Sequence, residues 1–224
     1  MLTVVSDTHG TDAHHLRGRT LEAVRAADHV VHAGDFTTEA VLDAIASEAA
    51  ALTAVTGNNE TMAVRERLPA TATLEWDGVR CVVAHGHRHS ETGLTMLARE
   101  AEADVVVVGH SHRPELASLD GRLHVNPGSY ADPRRYRPAH AELDLADGTL
   151  RARLRSPDGE TYEIEQPYFE GHPETPMSWK QLTKKFALLA EGVYDDDQQA
   201  RIVEIVRNME DHDASDLVET LVVE

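Results

Sequence analysis

The chain has 224 residues, a formal net charge of −18 and a hydrophobic fraction of 41%. This length is enough for one domain with a sizeable core, alone or with an appendage. An acidic surface does not attract the phosphates of long nucleic acids, so we expect no such partner. No apolar run approaches the ~20 residues that span a bilayer, so no membrane association is expected. A single cysteine excludes an internal disulfide framework.

The acidity coincides with a scarcity of lysine, since Lys180, Lys184 and Lys185 are the only lysines among 21 basic residues. Self-repulsion is tolerable at molar salt, where the Debye length is about 3 Å. We therefore favour a halophilic protein over a mesophilic one that is merely acidic. The N-terminus enters an apolar segment without a preceding basic region, and Cys81 lies within another apolar run. These features predict a cytoplasmic protein with a buried thiol.

Apolar β-branched runs alternate with helical patterns over the first third of the chain. The predicted elements there are strands at 2–6, 29–33 and 52–56, and helices at 15–27, 38–48 (with Thr38 as N-cap) and 61–67. Farther along, the sequence predicts strands at 71–76, 79–84, 104–108, 115–119, 122–125, 139–145 and 149–154, and a helix near 91–103. A βαβαβ segment followed by hairpins predicts an α/β fold, namely a four-layer α/β/β/α sandwich of two mixed β-sheets flanked by helices.

Composition divides the chain into three regions. Residues 1–155 carry the predicted sandwich, residues 156–177 are rich in proline and glycine and are predicted to be a linker, and residues 178–224 are predicted to be a helical C-terminal extension. Helical patterns in the extension cover 179–191 and 195–210. The extension could cap a crevice, pack on the sandwich or join two chains into a homodimer, and we favour packing or dimerisation.

Six short motifs carry the residues that suggest chemistry. They are Asp7-Thr8-His9, Gly34-Asp35, Gly57-Asn58-Asn59-Glu60, His85-Gly86-His87, Gly109-His110-Ser111-His112 and Asn126-Pro127-Gly128-Ser129. Each of the first five follows an apolar run that predicts a strand, and ligands bind beyond the carboxyl ends of strands in open α/β sheets. Taken singly, such motifs are usually turns. Together they supply the carboxylate, imidazole and amide groups that can hold two metal ions.

The order Asp-x-His, Gly-Asp, Gly-Asn, His, Gly-His-x-His resembles the calcineurin-like metallophosphoesterase superfamily. The short length and Asn126-Pro127-Gly128-Ser129 resemble its small bacterial and archaeal phosphodiesterase branch. The resemblance covers residues 1–155 and leaves 156–224 unmatched. It implies that Asp35 bridges two metal ions, the first held by Asp7, His9 and His112 and the second by Asn58, His85 and His110.

The resemblance also implies hydrolysis of a small phosphate ester, favouring a phosphodiester, by in-line attack of a metal-bridging hydroxide. Two divalent ions are expected, Mn²⁺ first, with Fe, Ni or Zn as alternatives because mixed oxygen and nitrogen ligands do not select one metal sharply. The rival functions are a phosphomonoesterase using the same site and a non-catalytic protein-interaction scaffold that docks through the C-terminal helices. The full set of ligand positions favours an enzyme over a scaffold.

One position departs from the family pattern. Many relatives carry a histidine after Gly-Asn that is thought to assist the leaving group, whereas this chain carries Asn59. An amide cannot pass a proton near neutral pH, so we expect a preference for leaving groups of low pKa. Asn59 and His87 are the candidate catalytic side chains outside the ligand set. His87 either orients ligands or substrate, or is an ordinary polar loop residue.

Residues around the motifs have alternative interpretations. Glu60 could orient the Asn58 loop or cap a helix. Asn126 and Ser129 are expected to fix the backbone of their turn. Three arginines could attract a phosphate or belong to an ordinary acidic-protein surface, which we favour; they are Arg134, Arg135 and Arg137. Seven further histidines are expected to be structural or solvated; they are His14, His15, His29, His32, His89, His124 and His140.

Overall fold

The computed structural model describes residues 1–119, 121–146, 148–157, 159, 161–167, 178–190 and 192–222. Its strands are β1 (Leu2–Val5), β2 (His29–His32), β3 (Leu52–Ala54), β4 (Thr71–Trp76), β5 (Val79–Ala84), β6 (Val105–Val107), β7 (Pro114–Leu119), β8 (Arg122–Pro127), β9 (His140–Ala146), β10 (Thr149–Arg155) and β11 (Thr161–Pro167). Its α-helices are α1 (Gly18–Ala26), α2 (Glu39–Glu48), α3 (Met62–Arg67), α4 (Glu91–Glu100), α5 (Trp179–Ala190), α6 (Asp196–Arg207) and α7 (Ala214–Thr220). The chain divides into two compact units, Met1–Phe169 and Glu170–Glu224.

Two mixed sheets form the first unit. Six strands make sheet I in the order β11-β10-β9-β1-β2-β3, in which β1, β2 and β3 are parallel and β9 to β11 are antiparallel to their neighbours. Sheet II has the order β4-β5-β6-β8-β7, with β5, β6 and β8 parallel. Parallel neighbours require crossover connections, and α1, α2 and α4 supply them. Thr38 precedes α2, but its hydroxyl donates to the carbonyl of Thr11 instead of capping the helix.

Three apolar clusters define the layers. The largest joins both sheets, for example Val4 and Leu143 of sheet I with Val83 and Val107 of sheet II. A second cluster packs α1, α2 and α3 on the other face of sheet I, and a third packs α4 on sheet II. The predicted four-layer α/β/β/α sandwich is therefore confirmed. Cys81 is fully buried in the central layer, and burial raises the pKa of its thiol to about 12, as expected for a core residue.

The linker prediction is wrong for residues 161–167. They form β11, which pairs with β10 in antiparallel register from Arg155↔Thr161 to Thr149↔Pro167. Alternation of polar residues with Tyr162 and Ile164 is typical of a strand, but nearby proline and glycine suggested a linker. The remainder of the predicted linker, 168–177, lies outside the described residues.

The C-terminal unit contains the two predicted helices, α5 and α6, and a third, α7, that we did not predict. Asp213 and Asp216 form a capping box at the start of α7, a signal that the sequence does contain. A single 3₁₀ turn, Met209–Asp211, follows α6. None of the described helices is both long and apolar enough to cross a membrane.

A buried carboxylate on β9 should make folding stability depend on pH. Burial alone would raise the pKa of Glu142, but hydrogen bonds from His140 and Arg155 and the charge of Arg19 lower it to about 2. Because the pKa is lower in the folded chain than in the unfolded chain (~4.5), the ionised carboxylate stabilises the fold at pH values above ~4.5. This contribution is lost as the pH falls towards 2. We expect Glu142→Gln to cost about 2 kcal/mol at pH 7 and much less at pH 3. Urea unfolding at both pH values measures this difference, and an equal cost at both would contradict it.

Candidate metal centre

Five of the polar loops meet at one edge of the two sheets. Asp7 and His9 follow β1, Asp35 follows β2, and Asn58 follows β3 in sheet I. The other ligand candidates, His85, His110 and His112, follow β5 and β6 of sheet II. Backbone hydrogen bonds join neighbouring loops: the amide of Asp7 donates to Gly34 O at 3.0 Å and that of Gly109 to His85 O at 3.1 Å. Packing of the two sheets thus brings residues distant in sequence into one hollow.

A first cluster consists of Asp7, His9 and His112. The Nε2 atom of His112 lies 3.2 Å from Asp7 Oδ1 and 3.2 Å from His9 Nε2. His9 Nε2 lies 3.8 Å from the same carboxylate oxygen. One atom from each residue falls within 4.8 Å of the other two, so the three side chains can hold one cation.

A second cluster adjoins the first through Asp35. The Oδ2 atom of Asp35 lies 3.5 Å from His9 Nε2 and 3.4 Å from His85 Nε2. His85 Nε2 is also 3.2 Å from Asn58 Oδ1. Asp7, Asp35 and His85 form another group whose ligand atoms lie within 4.8 Å of one another. One carboxylate oxygen therefore faces imidazoles of both clusters.

His110 and His87 line the sheet II side of the hollow. The ring of His110 lies edge-on to that of His85, with centroids 5.2 Å apart, and its backbone amide donates to Asp7 Oδ2. The ring of His87 is 5.4 Å from His85 and 6.0 Å from His110. Its Nδ1 is buried without a hydrogen-bond partner, while its Nε2 accepts from Arg88 Nε. His87 thus lies next to the predicted ligands with one nitrogen unused.

The backbone of the site is strained. Five of the seven predicted ligands adopt left-handed φ angles between 46° and 66°, which non-glycine residues rarely adopt: Asp7, His9, Asp35, His110 and His112. Such conformations cost about 1–3 kcal/mol each and persist where surrounding structure enforces them. The accompanying glycines permit close approach, because a Cβ on Gly57 would lie 2.1 Å from Asp35 Oδ1 and one on Gly109 would lie 2.8 Å from Asp7 Oδ2.

Both carboxylates are held in the ionised state. Burial raises the pKa of Asp7, but the neighbouring imidazoles of His112 and His9 and a hydrogen bond from Ser6 outweigh this and lower it well below its ordinary value. The pKa of Asp35 is lowered in the same way by His85 and by Asn59, whose backbone amide donates to Oδ1 at 2.9 Å and whose side-chain amide donates to Oδ2 at 2.7 Å. Two buried anions in one hollow predict a cation between them.

The imidazoles are oriented to donate lone pairs. His85 Nδ1 lies 2.7 Å from Ala33 O, and His112 Nδ1 is bonded to Asp132 O, so the Nε2 atom of each ring faces the hollow unprotonated when neutral. Asp7 Oδ1 is buried and has no hydrogen-bond partner. That orphaned oxygen, the ionised carboxylates and the inward Nε2 atoms together fit divalent metal ions.

Metal binding at this site must displace protons. Burial alone would lower the pKa of His85 and His112. Asp35 and Asp7 instead raise the pKa of His85 above its ordinary value, and Asp7 raises that of His112. Ligating imidazoles are neutral, so a divalent ion competes with these protons, and metal affinity should fall on acidification.

Glu60 and Asn59 hold Asp35 in place through hydrogen bonds. The buried Glu60 accepts hydrogen bonds through Oε1 from the amides of Asp35 at 2.6 Å and Gly57 at 2.7 Å. It therefore joins two ligand loops, while the N-cap of α3 is Thr61. Asn59 Nδ2 donates to Asp35 Oδ2 at 2.7 Å, which places the amide at the oxygen shared by the clusters.

Sequence reasoning missed the importance of His32. It is fully buried, its Nδ1 accepts from the Gly34 amide, and its Nε2 lies 3.2 Å from Thr8 Oγ1. Burial lowers its pKa to about 3, so the ring stays neutral and joins the loops of Asp7 and Asp35. Its only sequence signal is its position two residues before Gly34 at the end of a strand.

The turn after β8 fixes the site loops. Asn126 Nδ2 donates to Gly109 O at 2.9 Å, and Ser129 Oγ donates to Asp7 O at 2.7 Å, as expected for backbone-fixing residues. Among the arginines that follow, Arg134 carries a positive charge that contributes to lowering the pKa of His110 and opposes the rise in the pKa of His112. The guanidinium of Arg135 lies over the ring of Tyr136.

Comparison with known proteins relates this chain to a protein family. The sequence profile of the calcineurin-like phosphoesterase superfamily domain matches residues 1–148. A profile of the MmgE/PrpD C-terminal domain matches residues 110–211, which is less than half of the chain. A probable metallophosphoesterase of Methanocaldococcus jannaschii is 32% identical over 159 residues, covering 69% of this chain and 80% of that protein.

Two further proteins have a similar sequence or fold. A phosphodiesterase of the same archaeon is 27% identical over 136 residues, covering 56% of this chain and 81% of that protein. The crystal structure of Vps29 from Chaetomium thermophilum superposes with a TM-score of 0.62 at 17% identity, covering 75% of this chain and 96% of that one, which shows a common fold. On the profile match over residues 1–148 and the archaeal relative, the chain belongs to the calcineurin-like phosphoesterase superfamily.

Proposed function

We propose that this protein is a dinuclear metal-dependent phosphodiesterase that hydrolyses a small phosphodiester. The observation that carries the proposal is the position of Asp35 Oδ2, 3.5 Å from His9 Nε2 and 3.4 Å from His85 Nε2. A carboxylate between two sets of imidazoles can be shared by two cations. The phosphodiesterase named among the relatives supports the diester over the monoester.

The two groups of converging ligand atoms, Asp7 with His9 and His112 and Asp7 with Asp35 and His85, support the arrangement of two metal ions that the family resemblance implies. Asp7, His9 and His112 would hold one ion, Asn58, His85 and His110 the other, and Asp35 would contact both. A pair of divalent ions supplies a water of lowered pKa and neutralises charge that develops on phosphoryl oxygens. Mn²⁺ is our first choice, with Fe, Ni or Zn as alternatives for this mixed ligand set.

The remaining residues orient the reacting groups. Asn59 can donate a hydrogen bond from Nδ2 to an ester oxygen but cannot transfer a proton. Burial and the charge of His85 lower the pKa of His87, and its buried Nδ1 has no hydrogen-bond partner. His87 borders the hollow, and its Nδ1 could hydrogen-bond a substrate oxygen only after a side-chain movement that exposes this nitrogen. Without an acid at residue 59, esters with weakly basic leaving groups should react best.

Metal analysis followed by a kinetic comparison tests the proposed function. We expect about two metal ions per chain after loading with Mn²⁺, and a higher kcat/KM for a nitrophenyl diester than for the matching monoester. A higher value for the monoester would identify a phosphomonoesterase. Absence of any phosphoester hydrolysis by the metal-loaded protein, together with partner binding through residues 178–210, would identify a scaffold.

Arg134 should contribute to substrate binding and Arg135 should not. The charge of Arg134 acts on His110 and His112, whereas Arg135 stacks on Tyr136. A charge-assisted contact with a phosphate that is worth about 1.4 kcal/mol corresponds to a tenfold change in affinity. We expect Arg134→Gln to raise KM about tenfold with little change in kcat, and Arg135→Gln to leave both nearly unchanged. Equal effects of the two substitutions on KM would contradict this assignment.

A further inference from the structure

Every lysine of the chain lies on α5. Lys180, Lys184 and Lys185 are exposed on this helix, which contains no Asp or Glu, while the whole chain has a net charge of −18. The α5 helix thus presents three positive charges in a protein that is otherwise strongly acidic. The helix contacts α6, and Ala190 at its C-terminal end is buried, whereas all three lysines are exposed.

The lysines are interspersed with exposed apolar side chains. Leu188 and Leu189 are 71% and 72% exposed, and Trp179 and Leu182 are also exposed. Exposed apolar area of this kind marks interaction surfaces, because burying it yields about 25 cal/mol per Å². We call the surface made by these four residues and the three lysines the α5 face. Its combination of apolar and positive groups predicts an acidic partner surface with some apolar area.

The same unit offers such a surface between α6 and α7. A groove of about 740 Å³ is lined by four carboxylates and one guanidinium, with Val193 and Val222 as apolar walls; the charged residues are Asp195, Asp197, Arg201, Asp216 and Glu219. Gln198 fixes the groove by donating from Nε2 to Thr220 O and Val222 O. We call this surface the α6–α7 groove.

Two of the groove carboxylates have structural roles and two do not. Asp195 caps α6 by accepting from the Gln198 amide, and Asp216 completes the capping box of α7. Within the described part of the chain, Asp197 and Glu219 have no ion-pair partner. These two carboxylates are therefore free to receive lysines, and they can be substituted without removing a helix cap.

We infer that two copies of this chain associate through residues 178–222, with the α5 face of each copy seated in the α6–α7 groove of the other. Chains of net charge −18 repel one another in general, so association is favoured where a positive surface meets a negative one. A reciprocal contact is closed by a twofold axis and forms a dimer rather than a filament. The α5 face and the α6–α7 groove both belong to the C-terminal unit, so each copy of the chain carries both of the surfaces that the dimer needs.

Sedimentation of the full chain tests this inference by exchange of charges. The wild-type protein should sediment as a dimer, at twice the chain mass of 24.6 kDa. The triple variant Lys180→Glu, Lys184→Glu, Lys185→Glu should be monomeric, and so should the double variant Asp197→Lys, Glu219→Lys. An equimolar mixture of the two variants should restore a dimer, because each acidic α5 face then meets a basic groove and each basic face an acidic groove.

Three results would overturn the inference. The first is a wild-type chain that stays monomeric at ~100 µM, where even a complex with a Kd of ~10 µM would form. The second is a dimer that persists in either variant. The third is a mixture that stays monomeric although both variants keep the wild-type circular dichroism spectrum.

Discussion

Replacing Asp35 with Asn is expected to lower kcat/KM for a diester about a thousandfold. Asp35 Oδ2 faces His9 and His85 and accepts from Asn59 Nδ2. An amide NH₂ at that position would point a donor at another donor and remove one anionic ligand. Loss of several kcal/mol of charge stabilisation corresponds to about three orders of magnitude in rate.

Steady-state kinetics and metal analysis of the same samples measure this effect. The bound metal per chain should fall together with kcat/KM, while the melting temperature of the metal-free protein should change little, because Asn can still accept the amides of Asn58 and Asn59 at Oδ1. Asp43→Asn is the matched control, since Asp43 is exposed and pairs only with Arg67 in the described structure. If both substitutions left kcat/KM intact, Asp35 would have no part in hydrolysis.

Local sequence order was sufficient to predict the position of the ligand loops. Apolar runs before Asp7, Asp35 and His85 predict strands, and polar groups at the carboxyl ends of parallel strands must lie at one sheet edge. The fold class followed from the same alternation of strands and helices. What local order could not supply is distance: the 3.4 Å between His85 and Asp35 depends on the packing of sheet II on sheet I.

The residues that hold the ligand loops in place, without being predicted ligands themselves, were the hardest to predict. His32 joins two loops through contacts to Thr8 and Gly34, and nothing in its neighbourhood distinguishes it from other histidines of apolar runs. Glu60 had two equal interpretations until its hydrogen bonds to Asp35 and Gly57 decided for orientation of the loops. The decisive contacts, His32 with Thr8 and Glu60 with Asp35, join residues that are 24 and 25 positions apart, and sequence periodicity does not reveal such contacts.

The strain of the site and its proposed chemistry have a common origin. Left-handed φ angles at Asp7, Asp35 and His110 turn the chain sharply, so that side chains which would otherwise point to one or the other face of a sheet converge on the hollow. Hydrogen bonds of Ser6, Glu60 and Ser129 hold these turns in place. A preformed set of ligands needs little reorganisation, which favours tight metal binding.

Replacing Asn59 with His is expected to raise kcat/KM about a hundredfold for a diester with an alkyl leaving group. Residue 59 reaches the shared carboxylate, with Nδ2 2.7 Å from Asp35 Oδ2. An imidazole beside that anion would be protonated near neutral pH and could protonate the departing oxygen, which contributes about 10²–10⁴ in rate. Nitrophenolate departs without such help, so a nitrophenyl diester should gain little.

Asn59→Gln separates proton transfer from a change of side-chain size. It keeps the amide, so it should not raise the rate for either ester. The histidine variant should also lose activity at alkaline pH as its imidazole deprotonates. The pH–rate profile of the wild-type protein should show no fall in activity over the same pH range. If Asn59→His accelerated the nitrophenyl and alkyl esters equally, the gain would come from altered binding, and the missing acid would not explain the substrate preference we expect of the natural protein.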